Sequence, residues 1–225
     1  MSWQIVKLGD VFEFQKKSKV KAGDGLAIGR YKFFTSSVVQ TKYLDDFEFS
    51  GDSLIMGTGG NANLHFCESE FTASTDCFIL QSIDKLTTFT KFVYYYLVCN
   101  MHILENGFKG AGLKHTSKDY VSQIEIPLPP LDVQKTIADI LDKADTLRRK
   151  DAELIKKYDE LAQSIFIDMF GDPVTNPKGW DKVAISLIGE VKTGNTPPRI
   201  NKDYYGSFIE WIKTDKYLSK SYLVF

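Results

Sequence analysis

The sequence predicts an α+β fold: a strand-rich globular domain, then one long coiled-coil-type helix, then part of a second domain. Two features of the chain predict this architecture. Residues 1–128 consist of short aromatic and β-branched runs interrupted by Gly, Asn and Asp, a pattern typical of β-strands. From Leu131 to Phe170, in contrast, apolar residues recur at helical spacing. Because strands and helices do not alternate along the chain, a doubly wound parallel sheet is disfavoured.

The strands of the first domain are expected in short runs with turn residues between them. In chain order these runs are FEF, YKFFTSSVV, a second FEF, SLIM and CFILQ. One helix interrupts them over residues 87–106, TTFTKFVYYYLVCNMHILEN, and Gly107 supplies its stop. Its apolar residues at helical spacing are Phe92, Tyr95, Tyr96, Cys99 and Ile103.

The long helix from Leu131 to Phe170 has clear start and stop signals. Pro129 and Pro130 cannot lie inside a helix, and Gly171 is a typical C-terminal stop. A heptad seam runs along the helix and is interrupted only at Asp151. Its a and d positions, which we expect to carry association with another helix, are Ile137, Ile140, Ala144, Leu147, Leu154, Tyr158, Leu161 and Ile165.

Acid–base pairs four residues apart mark the solvent-exposed face of this helix. In each pair the acid precedes the base, which is the stabilising orientation, and the pairs are Asp139–Lys143, Asp145–Arg149 and Glu153–Lys157. At about 1.5 Å per residue the helix is roughly 60 Å long, so a domain of this size cannot cover its seam. A second helix is therefore expected to pack on it, and an identical helix from another molecule gives an antiparallel homodimer. An ordinary core helix is the alternative, disfavoured because globular helices average about 11–12 residues.

After the helix the chain starts again. The pattern W-x-x-x-x-L-G-D-V of Trp3–Val11 is matched by W-x-x-x-x-x-x-x-I-G-E-V of Trp180–Val191, and Tyr31–Ser36 has a counterpart in Ile209–Thr214. The second copy stops early, so a truncated chain is expected. The predicted divisions are a first domain at 1–128, the helix at 129–171 and a partial second domain at 172–225.

Composition excludes several classes of protein. A net charge of −1 and a pI near 6.3 give no overall basic signal, so any contact with nucleic acid must come from local charge. The cysteines Cys67, Cys77 and Cys99 lack metal-ligand spacing and are expected to be buried, reduced thiols, so a zinc site is not expected. No other cofactor is expected either. The chain shows no secretion signal and no apolar run long enough to span a membrane, so a cytoplasmic protein is expected.

Local charge, in contrast, is concentrated in two stretches. Between Phe14 and Lys42 seven basic residues oppose Asp24 alone, a local net charge of +6. The second stretch, FKGAGLKHTSK, places basic residues among glycines that allow close backbone approach to phosphates. The candidate contact residues here are Lys16, Lys17, Lys19, Lys21, Arg30, Tyr31, Lys32, Thr35, Ser36, Ser37, Lys109, Lys114, His115 and Lys118. A solvated loop surface is the alternative explanation for both stretches.

The glycine-rich stretch GTGGNANLHF, residues 57–66, resembles a phosphate cradle only superficially. It lacks the G-x-x-x-x-G-K-[ST] and G-x-G-x-x-G patterns, and its flanks predict two strands joined by a long polar loop. Polar groups on such a loop can meet base edges, as Asn meets adenine. The candidates are Gly59, Gly60, Asn61, Asn63 and His65. A plain hairpin loop is the alternative.

Taken together, these stretches resemble the specificity (S) subunit of type I restriction-modification enzymes. The resemblance rests on YKFFTSS with LIMGTGGNANLHF, on IPLPPLDVQKTIADILDKAD, on IFIDMFGDPVTNPKGW and on VKTGNTPPRINKDYYG. It covers almost the whole chain, as one recognition domain, one spacer helix and the opening of a second domain. It implies that the chain reads double-stranded DNA, while partner modification subunits bind S-adenosylmethionine and methylate adenine and restriction subunits cut.

The chain shows no catalytic motif of its own. Asn195–Pro198 resembles the Asn-Pro-Pro-aromatic motif of adenine methyltransferases, but a threonine is inserted and Arg199 replaces the aromatic residue. The histidines His65, His102 and His115 form no triad with a recognisable serine. A non-catalytic DNA-recognition subunit is therefore expected. The alternatives are a coiled-coil assembly protein that does not bind DNA and, less favoured, a stand-alone methyltransferase or nuclease.

Overall fold

The computed structural model describes residues 3–190, 192, 194, 196–198, 200 and 202–204. The chain divides into two compact units, Met1–Glu160 and Leu161–Phe225. The strands are β1 (Gln4–Lys7), β2 (Phe12–Phe14), β3 (Tyr31–Phe34), β4 (Lys42–Leu44), β5 (Ser53–Gly57), β6 (Leu64–Cys67), β7 (Phe71–Ala73), β8 (Cys77–Ser82) and β9 (Glu125–Leu128). The helices are α1 (Leu8–Val11), α2 (Thr90–Cys99), α3 (Met101–Glu105), α4 (Lys118–Ser122), α5 (Leu131–Phe170) and α6 (Ile185–Ile188), with 3-10 turns at Ala22–Asp24 and Lys202–Tyr204. The expected α+β class is confirmed.

The strands of the first unit form three sheets. β2, β8, β5 and β6 make an antiparallel sheet in that order. β4, β3 and β7 make a second sheet, in which β3 and β7 run parallel. β1 pairs with β9, and Gln4 lies opposite Leu128. Strands from the two ends of the globular part therefore lie side by side.

Strand β5 separates two layers of apolar side chains. Since successive residues of a strand point to opposite faces, Leu54 and Met56 join a larger core and Ile55 joins a smaller one. Burial on both faces explains why the run SLIM is apolar without alternation. The larger core also contains Phe12, Leu80, Phe92, Val93, Leu97 and Val121, and the smaller one Phe34, Phe71, Ala73, Cys77 and Ile79.

Most predicted strands are present, but one is wrong. The first FEF, SLIM and CFILQ are β2, β5 and β8, whereas YKFFTSSVV is a strand only over its first four residues. The second FEF forms no strand. The N–H groups of Glu48 and Phe49 both donate to the carbonyl of Phe71, so this segment meets β7 at a single point instead of pairing along it.

The helix predicted over residues 87–106 is two helices, α2 and α3. Asn100 interrupts them with non-helical angles (φ −125°, ψ 44°), and its side-chain amide donates to the Tyr96 carbonyl at 2.8 Å. Cys99, at the end of α2, is exposed, which corrects the expectation that every cysteine is buried. Cys67 and Cys77 are buried, and burial raises the pKa of the Cys77 thiol to about 11.

The long helix α5 is confirmed from Leu131 to Phe170. The three predicted ion pairs form, at 2.7, 2.7 and 2.8 Å for Asp139–Lys143, Asp145–Arg149 and Glu153–Lys157. Apart from half-buried Ile137, the predicted seam residues are exposed, and these are Ile140, Ala144, Leu147, Leu154, Tyr158, Leu161 and Ile165. The globular part of the first unit therefore covers the seam at Ile137 and leaves it exposed from Ile140 to Tyr158.

Instead, α5 joins the globular part through a different face. Gln134 is fully buried, its side-chain oxygen accepts from the Phe89 N–H at 2.8 Å, and its amide donates to the carbonyls of Thr87 at 2.8 Å and Pro129 at 2.7 Å. One turn later Ala138 is fully buried as well. With Asp142, these helix residues form what we call the helix joint.

Asp142 completes the helix joint through two donors on α2. The Tyr95 hydroxyl donates to one carboxylate oxygen at 2.5 Å and the Lys91 ammonium to the other at 2.9 Å. Partial burial disfavours the carboxylate, but these hydrogen bonds outweigh it and hold the pKa of Asp142 below its usual value. Desolvation likewise opposes the charge on Lys91, yet Asp142 and Glu68 raise the pKa of Lys91. Both groups of the pair are therefore charged at neutral pH.

In the second unit, the residues after α5 build a helix cap. Gly171 has φ +83°, the left-handed conformation typical of a helix stop, and its N–H donates to the Ile167 carbonyl at 2.7 Å. Lys178 and Trp180 side chains donate to the last carbonyls of the helix, those of Asp168, Met169 and Phe170. Carbonyls that a helix end leaves without partners are thus satisfied by one short motif.

The predicted internal repeat stays a prediction. Residues 180–190 contain α6 but no strand equivalent to β1. In the first copy, β1 forms a strand because it pairs with β9. Ile209–Thr214, the expected counterpart of Tyr31–Ser36, lies outside the described residues, as do Val191 and Arg199. The predicted domain divisions at 1–128, 129–171 and 172–225 stay predictions.

Candidate nucleic-acid interface

One turn residue, Asp76, holds two of the predicted contact segments together. Its carbonyl accepts from the N–H and the hydroxyl of Thr58 at 2.8 and 3.0 Å, and from the Ser36 hydroxyl at 2.7 Å. The turn between β7 and β8 therefore fixes the glycine-rich loop and the chain after β3 at the same place.

The second basic stretch folds onto the glycine-rich loop. The Gly60 N–H donates to the Lys114 carbonyl at 2.9 Å, and the Thr116 N–H donates to the Thr58 carbonyl at 3.0 Å. Two segments more than fifty residues apart in the chain therefore become neighbours.

Gly59 allows a close approach between the glycine-rich loop and the second basic stretch. A Cβ atom on Gly59 would lie 3.0 Å from the imidazole of His115, tighter than ordinary packing allows. His115 in turn exchanges two backbone hydrogen bonds with Lys109, both at 2.9 Å, so the basic stretch is a closed turn. The backbone that carries these basic side chains is thus fixed on both sides.

The lysine run Lys16–Lys21 passes the same turn. Gln15 donates its N–H to the Ile79 carbonyl at 2.8 Å, and the Val20 carbonyl accepts from the Thr75 N–H at 2.9 Å. The lysine run therefore lies along the start of β8 and the turn before it, next to the glycine-rich loop and the chain after β3.

We call this surface the loop edge, and it consists of residues 16–21, 35–40, 58–63, 74–76 and 109–118. Within these ranges seven lysines oppose a single acid, Asp76, a net charge of +6. All of the lysines are exposed, and they are Lys16, Lys17, Lys19, Lys21, Lys109, Lys114 and Lys118. The Lys118 ammonium lies 4.7 Å above the ring of Phe14. A chain that is acidic overall therefore presents one strongly basic surface.

Asn63 is a correction to the predicted set. The sequence places it among the base-contacting residues, but it is only 2% exposed. Its side-chain oxygen accepts from the Gly57 N–H at 3.1 Å, and its amide donates to the Asn61 carbonyl at 3.0 Å. The amide closes the glycine-rich loop internally, so we remove Asn63 from the contact set, whereas Asn61 is exposed.

His65 lies in β6 and not in a loop, which also differs from the expectation. Its Nε2 atom is 2.8 Å from the Ser37 carbonyl, and its ring packs against Phe34 with centroids 5.2 Å apart. Burial lowers the pKa of His65, and the Ser37 carbonyl offsets only part of that effect. The His65 side chain therefore holds the backbone of the loop edge at Ser37.

Arg30, Tyr31 and Lys32 are not brought to the loop edge. They lie at the start of β3, at the opposite end of the strand from Ser36, and each strand residue adds about 3.3 Å. The Arg30 guanidinium lies 5.3 Å from the Tyr31 ring centroid. Lys32 lines a separate cleft of about 690 Å³ beside α2 and α5. The first basic stretch is thus divided between two places.

The residues that fix the loop edge were not evident from the sequence. Thr58, Thr116 and Asp76 act through backbone groups or a hydroxyl, and their only signal is that such residues are common in turns. In the described part of the chain, no group of His, Cys, Asp or Glu side chains could hold a metal ion. None of the described helices is long and apolar enough to cross a membrane.

Comparison with known proteins gives a consistent family. Residues 1–157 match the family model of the type I restriction modification DNA specificity domain. The chain is 26% identical over 200 residues to the type I restriction enzyme MjaVIII specificity subunit of Methanocaldococcus jannaschii, an alignment that covers 84% of this chain and 46% of the relative.

Two solved structures share the fold. The type I restriction-modification S subunit from M. genitalium has a TM-score of 0.63 at 20% identity and covers 75% of this chain and 46% of its own. The HsdS subunit from Thermoanaerobacter tengcongensis has a TM-score of 0.50 at 19% identity, over 76% and 45% of the two chains. The chain thus spans about half the length of each relative.

Proposed function

The chain belongs to the type I restriction-modification DNA specificity family, and from that premise we propose that it is the DNA-recognition component of such a system in the cytoplasm. It binds duplex DNA through the loop edge. It contributes no catalytic group, and methylation and cleavage belong to modification and restriction subunits with which it assembles.

One observation carries this proposal: segments far apart in the chain converge into a single basic surface. Seven lysines against one acid give the loop edge a net charge of +6, although the chain as a whole carries −1. Lysines that neutralise phosphates release condensed counterions, which favours association with any duplex. Fixed backbone turns and exposed polar side chains such as Asn61 and Ser37 are suited to contacts with base edges.

The salt dependence of DNA binding tests the loop edge directly. A variant with Lys16, Lys17, Lys19 and Lys21 changed to Ala is compared with the parent on a fluorescent duplex over a series of salt concentrations. Each lysine that contacts a phosphate contributes about 0.9 to the slope of log affinity against log salt. We expect weaker binding to every duplex and a shallower slope.

A matched control separates local from overall charge. Changing the exposed helix residues Lys135, Lys143, Lys150 and Lys156 to Ala removes the same charge outside the loop edge. We expect this variant to retain the parental slope. Equal slopes for the parent and the loop-edge variant, or equal losses in both variants, would contradict the proposed interface.

For α5 we propose association through its exposed seam, with modification subunits in the assembled system and with a second copy of this chain when it is alone. In the first unit Ile140, Leu147, Leu154 and Tyr158 are all exposed, because the helix joint uses another face. A twofold axis makes an identical helix self-complementary, and the antiparallel homodimer presents identical DNA readers to an inverted repeat. Light scattering at increasing concentration tests this, and a persistent monomer would contradict it.

The exposed seam alone is also what a coiled-coil assembly protein without DNA contact would show. That alternative predicts no salt-dependent duplex binding by the chain, while the seam still associates. The lysine variants and the light-scattering measurement therefore distinguish the two functions.

A further inference from the structure

Two adjacent valines, Val38 and Val39, project from the loop edge. They are 65% and 63% exposed, and the other exposed residue of the 35–40 segment, Ser37, is polar. Single exposed aliphatic residues are common on protein surfaces. Two in succession on a surface with a net charge of +6 are a different case, because both side chains remain mostly exposed in the described chain.

The backbone that carries these valines is held in place. Ser36 is bonded to the Asp76 carbonyl at 2.7 Å, the Ser37 carbonyl contacts His65 at 2.8 Å, and the Val39 N–H approaches the Ser37 hydroxyl at 3.4 Å. Because this turn is already ordered in the folded protein, binding does not carry the entropic cost of ordering it. The valines are presented as fixed, exposed methyl groups.

We propose that Val38 and Val39 determine sequence specificity by contacting the C5-methyl group of thymine in the major groove. This inference rests on the proposed DNA-binding function. The C5-methyl is the one apolar group that distinguishes base pairs in that groove, and aliphatic side chains contact it. Wedges that intercalate between bases are longer side chains such as Leu, Ile, Met and Phe, so the short branched valines fit the groove surface better. The lysines supply affinity without sequence preference, and the valines supply preference.

Deoxyuridine provides a matched probe, because it differs from thymidine only by lacking this methyl group. Duplexes enriched by the parent chain from a random-sequence pool are resynthesised with single thymines replaced by deoxyuridine. We expect at least one replacement to weaken parental binding roughly fivefold or more, the scale of a lost base contact. In the Val38→Ser, Val39→Ser variant, the same replacement is expected to have no effect.

Two controls exclude general damage. Ile83→Ser changes a similarly exposed aliphatic residue (58%) just beyond the other end of β8, and this variant should keep the parental response to deoxyuridine. The valine variant should keep the parental thermal midpoint and the parental salt slope on a non-enriched duplex. A variant that meets both conditions is folded and still binds phosphates.

The possible failures are distinguishable. If no deoxyuridine replacement weakens the parent, or if parent and valine variant respond equally, the methyl contact is wrong while DNA reading by the loop edge stands. If the parent enriches no sequence and binds duplexes without salt dependence, the proposed function fails, and this inference fails with it.

Discussion

The first turns of α5 pack against the globular part of the domain, whereas the apolar seam of the following turns is exposed. Up to Asp142 the helix is anchored to the globular part by Gln134 and Ala138, both fully buried. Beyond it, Leu147 and Leu154 on the heptad seam are 61% and 48% exposed. Counted from Ile137 as position a, the buried anchors fall on positions e and b, so beyond Ile137, which packs against the core, the docked face and the apolar seam are different faces.

This difference shows that apolar periodicity did not determine where the helix docks. A buried amide with complete hydrogen bonding and a small alanine allow close contact, whereas the larger apolar side chains of the seam after Ile137 remain exposed. One face of the helix therefore attaches it to its own domain, and the exposed seam stays available for the association proposed above.

Placing a charge on the seam tests that association and has the largest expected effect. In the proposed homodimer Leu154→Asp buries two unpaired carboxylates at about 2 kcal/mol each, so the dissociation constant should rise roughly a thousandfold. The unfolding free energy of the globular part should not change. Sedimentation measures the first quantity and denaturant unfolding the second. Gln163→Asp, at an exposed position off the seam, is the control, and an unchanged mass for Leu154→Asp would contradict association.

Removing the polar anchor tests the attachment of the helix to its own domain. Gln134→Leu keeps the volume but leaves the buried N–H of Phe89 and the carbonyls of Thr87 and Pro129 without their partner. We expect the free energy of unfolding to fall by about 2–3 kcal/mol. Gln163→Leu, on an exposed part of the helix, should change it by less than about 0.5 kcal/mol. Equal unfolding curves for both variants would mean that the helix joint does not stabilise the domain.

Asp142 should contribute less than Gln134 to the free energy of unfolding, and its contribution should depend on pH. Its folded-state pKa lies below the unfolded value of about 3.9, so the carboxylate stabilises the fold above that value. This stability is lost as the pH falls through the folded-state pKa. Asp142→Asn should therefore cost about 1 kcal/mol near pH 7 and progressively less as the pH falls below about 3.9. An unfolding series from pH 7 to pH 3 measures the difference, with Asp139→Asn as the exposed control, and a gap that widens in acid would contradict it.

The surface ion pairs beyond the helix joint should have the smallest effect. Lys157→Ala breaks the exposed pair with Glu153, whose N···O distance is 2.8 Å. Exposed pairs four residues apart on a helix contribute about 0.3–0.5 kcal/mol, because water and salt screen them. Chemical denaturation at low and high salt should show a small loss that disappears at high salt. A salt-independent loss above about 1 kcal/mol would show that this pair contributes more to the free energy of unfolding than an exposed pair should.

The helix was predictable because its signals are local. The prolines before it, Gly171 after it and the ion pairs along it all act within a few residues. The docking face was not predictable in the same way. Gln134 finds its partners Phe89 and Thr87 at separations of 45 and 47 residues, and nothing in the sequence near Gln134 indicates them.

The candidate interface also has features that the sequence predicts and features that only the fold shows. Lysine runs are visible in the sequence, but their convergence depends on backbone hydrogen bonds around Asp76 that no residue pattern specifies. Asn61 and Asn63 look alike in the sequence, yet one is exposed and the other is buried inside its own loop. Residues on one tight loop point in different directions, so composition alone cannot assign their roles. Whether the exposed residues contact DNA stays a prediction.

The pairing of β1 with β9 has a consequence for how such a chain can evolve. With Gln4 opposite Leu128, the backbone enters and leaves the globular part at neighbouring points, directly before α5. Genetic recombination could therefore exchange everything between these strands as one cassette. Gln134 would accept the replacement, because its three hydrogen bonds are to main-chain atoms and never to a side chain. An incoming domain that presents the same turn meets Gln134 whatever its side chains there, but it must also supply donors for Asp142 in place of Lys91 and Tyr95.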